Sequence, residues 1–287
     1  MGWLDSFQTP WFLYTSTLLL GLVVGSFINV VILRLPKMME QTWRAECCEL
    51  LEQPTPEETR LSLSSPPSHC PGCNTRIRPW QNIPVISFLL LRGRCGGCGM
   101  AISMRYPVVE LCTGLLSLYA ALVFGPTAML VAALVLIGFL IVLTGIDIDT
   151  CLLPDSLTLP LLWLGLLVNL AGVFCTLESA VIGAAMGYLS LWSIYWLFRL
   201  TTGKEGMGYG DFKLLAALGA WFGWEALPLI IILSSFVGAF VGISLVILRR
   251  HKRDAPMPFG PYLAGAGLLT LFYGEALTTQ YYALLGL

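Results

Sequence analysis

Two carboxylates stand where an apolar chain least tolerates them. Asp147 follows the apolar run from Leu130 to Ile146, and Asp211 follows Gly206-Met207-Gly208-Tyr209-Gly210 and opens another hydrophobic stretch. A carboxylate beside a membrane span is costly to keep there, so each is a functional-site hypothesis. Two together point to acid/base chemistry on a substrate held at the membrane. An ionised carboxylate takes a proton from water while a protonated partner hydrogen-bonds the scissile carbonyl, the division of labour in an aspartic protease. Asp147 ends a span and meets the negative end of a helix dipole, whereas Asp211 begins one and meets the positive end. Dipoles alone therefore give Asp147 the donor role and Asp211 the base role, within a pair that titrates as a unit.

Other acids compete. Asp149 is two residues from Asp147 and on a helix points about 200° away, so only one of the two readily faces a common cleft; spacing does not choose between them. Asp155 follows Pro154 and precedes an apolar run, the pattern of a helix N-cap. Gly208 and Gly210 form a candidate active-site loop, where positive φ or close approach of a substrate strand favours glycine. The plain alternative is an ordinary N-cap behind a flexible loop, with Lys213 as a charge partner.

The elements that must position these residues are membrane spans. The chain has 287 residues, 56% hydrophobic and 11% charged, against about 25% charged in soluble domains. Its mean hydropathy is +0.78. Eight apolar stretches run through it: Trp11 to Leu33, Pro107 to Phe124, Thr127 to Ile146, Ser156 to Thr176, Ala180 to Leu200, Asp211 to Trp224, Leu227 to Leu248 and Phe259 to Leu285. Most approach the ~20 residues that cross a hydrocarbon core, and the sixth is short. The expected fold is all-α: a polytopic membrane protein of about eight transmembrane helices with a cytoplasmic four-cysteine zinc module. The 16 Lys and Arg residues fall in three segments, Arg34 to Arg105, Arg199 to Lys213 and Arg249 to Arg253. The positive-inside rule makes these cytoplasmic. With eight spans and an outside N-terminus, Asp147 and Asp211 then share the cytoplasmic face. Met1 to Pro10 has no basic residue and carries Asp5, so the first stretch reads as a retained span and not a cleaved signal. The net charge of -1 says little about partners; the bilayer is expected as one and nucleic acid is not.

The organisation expected is an N-terminal span (1–33), a hydrophilic insertion (34–106) and a seven-helix core (107–287). Lys37 to Pro67 mixes acids with Pro and Ser and reads as an irregular or partly helical connection. Beyond it stand Cys70-Pro71-Gly72-Cys73 and Cys95-Gly96-Gly97-Cys98. Two such pairs at this separation form a four-thiolate zinc site in which each pair is a tight knuckle, and Cys70, Cys73, Cys95 and Cys98 are the expected ligands. Four thiolates close the coordination sphere, so the metal is expected to be structural; a catalytic ion keeps a position open for water. The other five cysteines are read as small apolar fillers.

Taken in order, Gly25-Ser26-Phe27-Ile28-Asn29-Val30, Arg34-Leu35-Pro36, CPGC, Asn82-Ile83-Pro84, Leu91-Arg92-Gly93-Arg94-Cys95, Arg105-Tyr106-Pro107 with Glu110, the Asp147 segment ending Leu153-Pro154-Asp155, and GMGYGD resemble the bacterial type IV prepilin peptidases over nearly the whole chain. The resemblance implies a bifunctional inner-membrane enzyme with its active site at the cytoplasmic face. It would cut the basic leader from type IV prepilins and type II secretion pseudopilins, then N-methylate the new terminal residue with S-adenosylmethionine. It implies Asp147, over Asp149, and Asp211 as the catalytic pair. For the methyltransferase it implies a residence in the insertion and its junctions, with Gly93, Glu110 and Asn29 as candidates; polar packing between helices or capping is the plainer role for Asn29 and Glu110. The rival classes are a proton-coupled transporter, whose intramembrane carboxylates relay protons, and a zinc-bearing membrane scaffold, which would tolerate loss of both aspartates. A metalloprotease lacks its ligands: only His69 and His251 are present.

Overall fold

The computed structural model describes residues 10–54, 61–204, 206–248 and 257–285, and these are helical with no strand among them. The helices are α1 (Pro10–Leu50), α2 (Ile86–Leu90), α3 (Arg105–Phe124), α4 (Ala128–Thr150), α5 (Asp155–Leu170), α6 (Leu177–Thr202), α7 (Tyr209–Phe222), α8 (Leu227–Ile247) and α9 (Gly260–Leu285). Eight of the nine coincide with the eight apolar stretches. Among the described residues, five segments are long and apolar enough to cross a membrane: Pro10–Leu50, Arg105–Phe124, Ala128–Thr150, Leu177–Thr202 and Trp224–Leu245, with Asp155–Leu170 a shorter apolar helix. The chain divides into two compact units, Met1–Pro126 and Thr127–Leu287.

In the first unit α1 and α3 pack antiparallel. Gly21 faces Ser117 and Gly114, Gly25 faces Glu110 and Thr113, and Asn29 reaches Tyr106, so rising numbers on one helix meet falling numbers on the other. Helix α1 does not stop at Pro36 but runs on to Leu50, so the irregular or partly helical connection expected from Lys37 to Pro67 begins as a continuation of the span. Residues 37–50 are mostly Met, Glu, Gln, Ala and Leu, strong helix formers, and Arg44 pairs with Glu40 one turn back at 2.7 Å. Arg34 fastens the returning chain, donating to the carbonyls of Ser62 and Pro66 at 2.8 Å each.

The second unit is organised around α7. This helix is only 14 residues long and buries Asp211, Phe212 and every residue from Leu214 to Trp221, the pattern of a helix enclosed on all sides. On one flank the backbones of α6 and α7 nearly touch. A methyl at Gly183 would meet the Gly219 carbonyl, and one at Gly187 would stand 2.7 Å from the Leu215 carbonyl. On another flank the Asn169 amide of α5 donates to the Ala220 and Trp221 carbonyls at 2.9 Å each, while its oxygen accepts from Phe174 and Cys175 N–H. Trp221 Nε1 donates to the Leu161 carbonyl at 2.8 Å. The two Asn169 bonds satisfy carbonyls in the last turn of α7, which a helix end otherwise leaves unpaired.

Candidate active site

Asp147 lies in the last turn of α4 and is 4% exposed; Asp211 lies in the first turn of α7 and is 7% exposed. The two are close enough for their charges to interact. Asp149, by contrast, is exposed. Asp147 Oδ2 accepts the backbone N–H of Gly260 at 2.8 Å. Asp211 has the Gly208 backbone against its carboxylate, and its Oδ1 is buried without a hydrogen-bond partner among the described residues. Such an atom costs stability unless something else fills the position. A water or carbonyl bound there is what the chemistry of the pair would need.

Gly260 is a residue that the sequence did not disclose. It opens α9, and a methyl on it would fall 2.7 Å from Asp147 Oδ2 and 3.1 Å from Leu153. Each carboxylate therefore faces the N-terminus of a helix, Asp211 that of its own α7 and Asp147 that of α9. Helix dipoles no longer divide donor from base between them. The only available signal was Gly260-Pro261 ahead of an apolar run, a helix-start pattern that names no partner.

The glycine loop also departs from expectation. Neither Gly208 nor Gly210 has positive φ. Gly210 is required by approach: a Cβ there would stand 2.6 Å from Leu153 Cβ, in the turn between α4 and α5. Cys151, in the same turn, has φ 52°, so a strained turn and a bare backbone bring the two acidic segments together. Asp155 is the first residue of α5 behind Pro154, and it pairs with Lys213 at 2.5 Å; Lys213 was read as a partner for Asp211. Rings of Tyr195, Tyr209 and Phe212 pack at 5.3 to 5.6 Å between centroids beside the loop.

In the first unit Cys70, Cys73, Cys95 and Cys98 bring their sulfurs within 4.8 Å of one another. The Cys70–Cys98 and Cys73–Cys95 separations are 3.8 and 3.9 Å. Four sulfurs on zinc at ~2.3 Å in a tetrahedron stand about 3.8 Å apart, so the set fits that ion. The two knuckles repeat one another. Cys70 N–H donates to Thr75 and Asn74 N–H to Cys70; Cys95 N–H donates to Met100 and Gly99 N–H to Cys95. Each turns through a residue of positive φ, Asn74 or Gly99. A hydrogen bond to the Thr75 hydroxyl brings the Cys73 thiol down to about 6, in the direction of the thiolate a metal requires.

The three remaining candidates lie in the same unit. Asn29 and Glu110 both lie at the α1–α3 crossing, 2% and 7% exposed. Gly93 has φ +67° below the Phe88 ring, and its carbonyl accepts from Ile102 at the neck of the second knuckle.

A family model described as the bacterial peptidase A24 N-terminal domain matches residues 19–124, and one described as the type IV leader peptidase family matches residues 134–243. A prepilin leader peptidase/N-methyltransferase of Aeromonas salmonicida is 54% identical over 275 residues, 95% of this chain and 94% of that protein. The chain belongs to the type IV leader peptidase family. Proteins of the same name from Pseudomonas aeruginosa and Pseudomonas putida are 56% and 50% identical, over 92% and 99% of this chain and the same shares of theirs. No solved structure matches the chain. The two family regions follow the two compact units, so the carboxylate pair falls in the leader peptidase region and its neighbourhood, and the cysteine cluster in the N-terminal one.

Proposed function

We propose that this chain removes the leader from type IV prepilins and type II secretion pseudopilins with Asp147 and Asp211, and then methylates the exposed amine with S-adenosylmethionine. Leader cleavage and N-methylation are the activities in its relatives' names, and similarity over more than nine-tenths of both chains carries them here. The observation that supports the residue assignment is the meeting of two buried acids in one packed unit, one of them with an unpartnered oxygen.

In the proposed reaction one carboxylate accepts a proton from water as the oxygen adds to the scissile carbonyl. The protonated partner hydrogen-bonds the developing oxyanion. Collapse of the tetrahedral carbon breaks the C–N bond, and the proton passes to the leaving amine, which becomes the new N-terminus. Burial serves this step by excluding competing water and strengthening each charge interaction. The Gly208 and Gly210 loop lets an extended peptide approach Asp211.

Zinc would be held by the four cysteines and would supply a structural cross-link, a closed sphere with no position for substrate. Methyl transfer is assigned to the insertion 34–106 and its junctions, with Asn29, Gly93 and Glu110, and peptidase chemistry to the region 107–287. All eight long helices are taken as spans of the bacterial inner membrane, with the carboxylates at the cytoplasmic face, on the strength of the Lys and Arg distribution. A prepilin with a basic leader and an apolar helix presents its scissile bond at that boundary.

The decisive experiment is prepilin cleavage by purified protein in detergent, comparing the parent with Asp147→Asn, Asp149→Asn and Asp211→Asn while methylation of pre-cleaved substrate is scored by mass. Loss of cleavage by about 10³-fold or more in the first and third, with methylation retained and Asp149→Asn active, is expected. Cleavage by all three variants would end the aspartyl mechanism.

A further inference from the structure

Three acidic side chains are buried among the described residues: Asp147, Asp211 and Glu110. The peptidase reading uses two. Glu110 lies where α1 and α3 cross, and its Oε2 accepts the Val85 N–H at 2.8 Å. Neither the Arg44–Glu40 nor the Lys213–Asp155 ion pair includes it. A buried carboxylate without an ionic partner ionises readily only when a cation is brought beside it.

One turn along α1, Asn29 presents the complementary anomaly. Its Nδ2 donates to the Gly25 carbonyl at 3.2 Å and the Tyr106 carbonyl at 3.1 Å, which uses both amide hydrogens. Its Oδ1 is buried with no donor among the described residues. Flipping the amide would set its oxygen against two carbonyls, so the surrounding backbone fixes the orphan acceptor. The two residues are linked through Gly25 at the crossing. Gly25, whose carbonyl holds Asn29, packs so closely that a methyl on it would stand 2.8 Å from Glu110 Cα. Val85 supplies its N–H from φ +59°, a costly conformation for a β-branched residue and one that persists where it serves a site.

A carboxyl group and an unfilled acceptor, with no ion pair shown to either among the described residues, match a compact cation carrying several N–H donors. We propose that Glu110 and Asn29 form a binding site for an α-ammonium group at the α1–α3 crossing. The site rests on the methyltransferase reading and deepens it, because both reactants of that transfer carry such a group: the N-terminus of the cleaved prepilin and the methionine end of the donor. Val85 orients the carboxylate, and Asn29 accepts one N–H of the ligand while Glu110 accepts another and balances its charge.

The test is equilibrium competition on the full-length protein in detergent. Free-amine mature peptide is compared with the same peptide N-acetylated, and S-adenosylhomocysteine with methylthioadenosine, which lacks the amino-acid end. A charged hydrogen bond of this kind corresponds to about tenfold or more in affinity, so one pair should differ by that factor. The pair that does so identifies the source of the ammonium. In Glu110→Gln and Asn29→Ser the difference should shrink to less than about threefold, with prepilin cleavage retained as the sign of an intact fold. Should Glu110→Gln lose cleavage too, Glu110→Asp, which keeps the charge but withdraws it by one methylene, is scored by the same criterion. No discrimination within either pair in the parent overturns the site, as does discrimination undiminished in the variants. A parent that transfers no methyl group ends the methyltransferase reading and the site with it; transfer without discrimination ends the site alone.

Discussion

The cysteine module and the carboxylate pair gather anionic groups by opposite means. In the module, four sulfurs converge from two short loops, each closed by its own backbone hydrogen bonds, and only Cys70 is buried. In the pair, two acids arrive from α4 and α7, a third helix adds the Gly260 N–H, and both carboxylates are buried. Groups that a metal draws together can be mounted on loops, because the ion supplies the attraction that closes the site. Two like charges repel, so their approach has to be imposed by a packed core. With zinc bound as proposed, one site would be assembled by its ligand and the other by its scaffold.

Metal removal should give the largest separation between them. Structural zinc is worth about 10–16 kcal/mol in small modules, so chelation, or Cys70→Ser with Cys95→Ser, should open residues 61–104 to limited proteolysis while Thr127–Leu287 stays resistant. An unchanged digestion pattern in protein shown to be metal-free would break the contrast. Next is Gly260→Ala, which places a carbon 2.7 Å from Asp147 Oδ2. Misplacing a catalytic group by about 1 Å can cost about 100-fold, so kcat for cleavage should fall on that scale with KM and methylation unchanged. Gly265→Ala, with nothing within 4 Å, is the control; parental cleavage by Gly260→Ala would show that the third helix contributes nothing.

Scaffold effects without contact to the pair should be smaller. Asn169→Leu deletes the amide that joins α5 to the end of α7 and strands buried backbone groups, a cost of roughly 3 kcal/mol. A lower thermal midpoint in detergent, with a milder loss of cleavage than Gly260→Ala, is expected; an unchanged midpoint would remove Asn169 from the scaffold. Lys213→Gln comes last. Asp155 is 59% exposed in that pair, and such pairs contribute about 0–1 kcal/mol. Cleavage should change by less than about threefold, and a larger loss would move Lys213 into the scaffold proper.

The same contrast governs what the sequence disclosed. The cysteine cluster was legible because its geometry is local: two residues between paired cysteines nearly dictate a knuckle. The long helices were legible because hydrocarbon demands runs of about 20 apolar residues. Helix α1 beyond Pro36 was not, since proline usually marks a stop and the helix formers after it carry no apolar stripe. Gly260 escaped because a hydrogen bond to a residue 113 positions away leaves no trace in spacing. The GMGYGD glycines were noticed for conformational freedom, whereas the demand at Gly210 is room for Leu153, a residue in another turn.

The bare seam between α6 and α7 has a genetic consequence. Any single-base change of a glycine codon that alters the residue adds at least one carbon, and at Gly183, Gly187 and Gly219 that carbon would land against the opposite backbone. These three codons have no tolerable neighbour to step to. The relation between the two helices, and with it the placing of Asp211, is therefore insulated from gradual drift and would change only by coordinated replacement.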